Sequence, residues 1–247
     1  VYETRGKQSG AYSGGTYESQ PYILMNYQDD VESMFTLAHE LGHSLHSEYT
    51  SDTQPYVYAD YEIFVAEVAS TVNETLLTHH LLDTVEDDRL RRHILNEYLE
   101  RFRSTLFRQT MFAEFEHKTH ELSEAGEALT AERLDEIYAD LKSDYYEPAE
   151  IDDRIAREWM RIPHFYRAFY VYQYATGISA AVALVENILD EEDPNAADRY
   201  IDFLSRGSRA YPLELLRDAG VDMAEPEAVQ SATDVYAEYL DEMESLL

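Results

Sequence analysis

Residues 39–43 read His-Glu-Leu-Gly-His. Two histidines four apart on a helix project from one face and can share a metal ion. Glu40 sits next in phase, where it can take a proton from a water activated by that metal. At about 100° per residue, Met34, Leu37, Ala38, Leu41 and Leu45 fall on one stripe, while His39, His43 and His46 fall on the opposite side. That spacing predicts a helix whose apolar back packs on the core and whose histidines face a cleft. The competing reading is an amphipathic helix with surface histidines, and the five residues alone leave both open. His46 reads as a helix-surface residue.

A third ligand has to come from elsewhere. The chain has no cysteine, and no third histidine continues the motif, so a carboxylate is expected. The next helical stretch offers Glu62, Glu67 and Glu74. Its apolar stripe is Val65, Val68, Val72 and Leu76, with Asp60, Glu67, Ser70, Thr71 and Glu74 on the other side. Glu67 is therefore the expected third ligand, and Glu74 a residue that orients a ligand histidine or else a solvated carboxylate. Two histidines and one glutamate leave a fourth tetrahedral position for water, the pattern of a catalytic zinc site.

The elements that must position these groups are nearly all helical. Candidate helices run over 30–49, 60–82, 86–122 (one helix or two), 131–146, 148–160, 164–190, 194–206, 212–218 and 227–246. Asp193-Pro194 and Glu225-Pro226 place proline in a first turn, and Gly220 closes a short helix. The glycine-rich start, with Gly6, Gly10, Gly14 and Gly15, precedes the strand-like Pro21–Tyr27. That strand could pair with a substrate backbone or be an ordinary hairpin strand. With no internal repeat and no linker, the fold class expected is mainly α with a small β ribbon near the N-terminus. Residues 1–247 are expected to form a single catalytic domain.

Composition narrows the partners. Fifty Asp and Glu against 19 Lys and Arg give a net charge of −31. Binding nucleic acid or an anionic membrane surface needs the opposite sign, so neither is an expected partner. The 21 tyrosines and the helical patterning argue against disorder despite that charge. Such self-repulsion is best tolerated where salt screens it, and only Lys7, Lys118 and Lys142 are lysines. A halophilic, cytoplasmic protein is the expectation. The opening VYETRGKQSG has no apolar signal segment and no initiating methionine, which suggests part of a longer chain.

Three longer segments make the pattern specific: HELGHSLHS, QPYVYADYEIFVAEVASTVNE and HFYRAFYVYQYATG. Together with GAYSGG…PYILMNY and YPLELLRDAGVDM, they closely resemble the oligoendopeptidase F family, in the thimet-oligopeptidase group of zinc metallopeptidases. The resemblance extends over nearly the whole chain. It implies a zincin-like helical catalytic domain holding one Zn²⁺, with His39, His43 and Glu67 as ligands and Glu40 as catalytic base. It also implies short peptide substrates, and an N-terminal half of the same enzyme that this chain lacks. The family places a histidine and tyrosines of the HFYRAFYVYQY region at the substrate, and His164, Tyr170 and Tyr174 are the candidates here. Tyr166, Tyr170 and Tyr174 share one face if 164–190 is one helix, although such a stripe is also ordinary core packing.

The function expected is hydrolysis of internal bonds in short peptides. One alternative is a zinc carboxypeptidase or dipeptidyl-carboxypeptidase-like exopeptidase, for which Arg161 or Arg167 would hold a terminal carboxylate. The other is a non-catalytic helical scaffold. His117 and His120 beside Glu116 and Glu121 lack what is needed to complete a second coordination sphere.

Overall fold

Asp30 starts the first long helix: its side chain accepts the Ser33 amide at 2.8 Å and so satisfies one orphan donor of the first turn. The computed structural model describes residues 2–247. A two-stranded antiparallel ribbon, β1 (Tyr12–Gly14) and β2 (Tyr22–Leu24), pairs Ser13 with Ile23. The helices follow: α1 (Val31–Thr53), α2 (Ile63–Thr84), α3 (Asp88–Arg101), α4 (Arg108–Glu124), α5 (Ala131–Tyr145), α6 (Asp153–Ala156), α7 (Tyr172–Leu189), α8 (Ala196–Leu204), α9 (Pro212–Asp218) and α10 (Glu227–Ser245). The fold is mainly α with a small ribbon near the N-terminus. Among the described residues, no helix is long and apolar enough to cross a membrane.

The chain divides into two compact units. The first comprises Val1–Glu100 and Thr176–Leu247. Its core gathers Val65, Val68, Ala69 and Val72 of α2 against Ala180, Ala181, Leu184 and Val185 of α7, closed by Phe203, Leu204 and Leu216. Alanines at the contact let helix axes approach closely, and α2 is consequently buried on nearly every side. The second unit is Arg101–Ala175. Its core packs Met111, Phe112 and Phe115 of α4 on Ile137, Tyr138 and Leu141 of α5, with Ile162 and Val171. Glu158 ties this unit together, taking hydrogen bonds from Tyr138 at 2.8 Å and Arg108 at 2.5 Å and pairing with Lys142 at 3.0 Å. Burial works to raise its pKa, but these donors prevail and hold it down at about 2.

The 86–122 segment is two helices, the second of its two readings: α3 and α4 with a six-residue π turn, Phe102–Phe107, between them. Two expectations are corrected. The stretch 148–160 holds only the four-residue α6 and part of a 3₁₀ turn, Glu158–Arg161. The stretch 164–190 is not one helix either: α7 begins at Tyr172, after a 3₁₀ turn at Pro163–Tyr166 and a bend at Phe169, whose φ is +56°. Glu116, far away in sequence, accepts the Phe169 amide at 2.8 Å, which stabilises the bend against helix continuation. Tyr166 therefore does not share a helical face with Tyr170 and Tyr174; it is 92% exposed.

Candidate metal centre

The helix pair α1 and α2 carries the candidate ligands, and Gly42 explains how closely the two run. A Cβ on Gly42 would stand 2.5 Å from Ser70 Cα and 2.6 Å from the Ala69 carbonyl oxygen. Glycine inside a helix costs about 1 kcal/mol relative to alanine, so its presence mid-motif signals a packing demand. The face of α1 so packed is not the leucine stripe. Phe35, Glu40, Gly42, His46 and Thr50 are buried, whereas Leu41 and Leu45 are each 44% exposed. The leucine periodicity pointed to the wrong side, because close approach at Gly42 turns the histidine side toward α2.

That rotation brings the donors together. His39 Nε2 and His43 Nε2 lie 3.2 Å apart, and Glu67 Oε2 lies 3.6 Å and 3.8 Å from them. Among the described residues this is the one group of three potential ligands that converges. A point equidistant from these three atoms lies about 2.1 Å from each, the bond length of zinc to imidazole or carboxylate. Two imidazoles and a carboxylate are also a donor set that suits a divalent transition metal. His117, by contrast, meets Glu121 at 3.4 Å on the surface, and among the described residues it joins no group of three potential ligands.

Further side chains contact the candidate ligands. Glu74 Oε1 lies 3.3 Å from His39 Nδ1, which presents Nε2 to the centre. Burial disfavours protonated His39, but the hydrogen bond and charge of Glu74, with Glu67 and Glu40, raise its pKa overall. Burial pushes His43 the other way, below its ordinary value, with Glu67 opposing. Ser70 Oγ donates to Glu67 Oε2 at 3.3 Å. Gly177 of α7 faces Glu67, and a Cβ there would be 3.7 Å from the Glu67 Cβ, an ordinary contact.

Glu40 is buried beside the triad, and among the described residues its Oε2 has no hydrogen-bond partner. Burial raises its pKa, while His39 and the backbone amide of Ser13 pull it down. A desolvated carboxylate with one oxygen free is primed to take a proton from water. Ser13 went unnoticed in the sequence. It sits on β1, and its Oγ is 2.9 Å from Ser44 Oγ of α1, so β1 lies against the motif helix and β2 pairs behind it. His46 also corrects its expectation: it is 1% exposed, stacked 3.7 Å from the Tyr61 ring, and burial drops its pKa to about 3.

His164, Tyr170 and Tyr174 belong to the second unit and meet one another. The imidazole is 5.4 Å and 5.9 Å from the two rings, and the two hydroxyls are 2.9 Å apart. Arg161 is engaged by Glu158 at 2.5 Å, and Arg167 lies 5.8 Å over the Tyr170 ring.

Comparison with known proteins identifies the relatives of this chain. The chain is 56% identical over its whole length to Oligopeptidase PepF of Bacillus subtilis, covering 37% of that protein. It is 48% identical over its whole length to Group B oligopeptidase PepB of Streptococcus agalactiae, covering 41%. The crystal structure of oligoendopeptidase-F from Enterococcus faecium superimposes with a TM-score of 0.80 at 46% identity, over 87% of this chain and 39% of that one. The chain thus spans about two fifths of the length of the relatives it matches. The model of Peptidase family M3 matches residues 1–235, and the chain belongs to that family.

Proposed function

We propose that this chain carries the zinc centre of an oligoendopeptidase, with His39, His43 and Glu67 as ligands and Glu40 as general base. The observation that carries this reading is the convergence of three donor atoms beside a buried carboxylate oxygen that lacks a partner. A zinc ion held there supplies Lewis acidity, polarising a peptide carbonyl and acidifying a water. Glu40 accepts the proton from the attacking water on its unpartnered Oε2. It then delivers that proton to the leaving amine nitrogen, so one carboxylate serves both transfers. Glu74 keeps His39 in the tautomer that leaves Nε2 unprotonated. A structural site has no use for an acid–base carboxylate, which disfavours the scaffold alternative.

Within the same proposal, His164, Tyr170 and Tyr174 donate to substrate, and the ribbon lies along an extended peptide. Endo-cleavage is the reading we adopt; of the two arginines that the exopeptidase alternative calls on, Arg161 is paired with Glu158, and Arg167, over the Tyr170 ring, keeps that alternative open. We further read residues 1–247 as one catalytic domain that works with the N-terminal half of the same enzyme, in the cytoplasm of a salt-adapted cell. The net charge of −31 supports the last point.

The test is Glu40→Gln. The variant should bind zinc as the parent does and lose about 10²- to 10⁴-fold in hydrolysis of a quenched fluorescent peptide. Undiminished turnover would remove Glu40 from the mechanism.

A further inference from the structure

Past His43, α1 runs on into a wall of a separate cavity. Ser47 stands four residues further, one turn and about 6 Å along the same face. Beside it opens a cavity of about 540 Å³, bounded by the turn joining β1 to β2, by α1 at Ser47 and Glu48, and by the segment 56–61. All of this lies in the first unit.

Three tyrosines stand in the lining, Tyr17 and Tyr61 held by hydrogen bonds and Tyr56 75% exposed. The Tyr17 hydroxyl donates to the Gln54 carbonyl at 2.9 Å, and its ring meets Tyr56 edge-on at 5.5 Å. The Tyr61 hydroxyl is 2.8 Å from Ser47 Oγ, and its ring is held by the stack on buried His46. Two carboxylates, Glu48 and Asp60, complete the lining, and no lysine or arginine lines it. Asp60 Oδ1 accepts the Tyr61 amide at 2.9 Å. Among the described residues, neither carboxylate forms an ion pair. Tyrosine rings beside two exposed, uncompensated carboxylates form a host for an organic cation, which can gain ring attraction as well as charge pairing. The host lies one helical turn from the metal ligands, within reach of a peptide bound at the centre.

We infer that this cavity is a specificity subsite for a cationic group of the bound peptide, a lysine or arginine side chain or the N-terminal ammonium. The inference rests on the peptidase reading for its ligand, and its test is separable from that reading.

Binding of short peptides to the zinc-loaded Glu40→Gln protein, followed by calorimetry, reads recognition apart from turnover. The probes carry one lysine, or norleucine in its place, at successive positions, each with a free or an acetylated N-terminus. Lysine at one position should bind about five- to tenfold tighter than norleucine, or the free N-terminus should bind tighter than the acetylated one by that factor. Either result supports the subsite and names its guest. Adding E48Q and D60N should bring the ratio close to one, with an unchanged melting profile. D52N alters an exposed acid of α1 outside the cavity and should keep the ratio. Equal binding of all probes overturns the inference. So does a D52N effect as large as that of the double variant, because the general negative charge would then be responsible. A wild-type chain that cleaves norleucine peptides without cation preference removes the subsite and keeps the peptidase. Cation preference in a chain that cleaves nothing does the reverse.

Discussion

Replacing Gly42 by alanine adds one carbon where α1 crosses α2. That carbon would meet Ser70 Cα at 2.5 Å, the Ala69 oxygen at 2.6 Å and the Ala69 carbonyl carbon at 2.9 Å. Relaxed carbon contacts lie at about 3.5–4.0 Å, so the helices must part by roughly 1 Å. All three neighbours are backbone atoms, and no rotamer change relieves the clash. Alanine regains about 1 kcal/mol of helix propensity against an overpacking cost of about 1–3 kcal/mol. The net loss is about 1 kcal/mol, or about 2–4 °C in melting temperature. The larger effect falls on the metal. Glu67 belongs to α2 and the histidines to α1, so separations of 3.6 Å and 3.8 Å open together. Two ligands bonded at about 2.1 Å to one ion cannot stand more than about 4.2 Å apart, and an extra 1 Å exceeds that span. Zinc affinity should fall by about 100-fold, measured by competition with a chromophoric chelator. Gly14→Ala serves as control, because a carbon added there meets nothing within 4 Å. Wild-type affinity in Gly42→Ala would refute the claim that close helix approach sets the ligand triangle.

Glu74→Gln should weaken zinc binding about 10- to 100-fold while leaving the ligands in place, because Glu74 orients His39 from 3.3 Å away. Unchanged affinity would assign Glu74 a packing role only. His46 makes an acid-sensitivity prediction. Burial holds its folded pKa near 3 against 6.5, so below pH 6.5 the unfolded chain takes up a proton that the folded chain refuses. Stability from this group is complete above pH 6.5 and declines toward pH 3, by about 2 kcal/mol at pH 5. His46→Phe keeps a ring for the Tyr61 stack, so in metal-free protein its stability should fall less steeply over that range; parallel curves would exclude His46 as the cause. Raising KCl from about 0.1 M to about 1 M should lift the melting temperature by about 5 °C, as screening relieves the −31 charge. A flat response would remove the salt-adaptation reading.

Local rules reached the centre better than its surroundings. His39 and His43 are four apart, and the phase of α2 singled out Glu67, because both relations lie within single helices. Which side of α1 is buried is not a property of α1 alone. Leucines at 41 and 45 advertised one face, yet a glycine-mediated crossing with α2 selected the other and took His46 inside. The signal available was Gly42 itself, costly in a helix unless something must come close. The start of α7 was hidden for a similar reason. Residues 164–171 have helical periodicity, but Glu116 on α4 captures the Phe169 amide, a contact no window of neighbouring residues contains. The subsite cavity was invisible because its walls come from the β1–β2 turn, from α1 and from the segment 56–61, which meet only in three dimensions.

All three candidate ligand atoms sit on two successive helices, α1 and α2, joined by residues 54–62. An ion bound there acts as a staple across that pair. The free energy of capture is then delivered to the packing of these two helices, so they should gain the most protection from amide hydrogen exchange on loading.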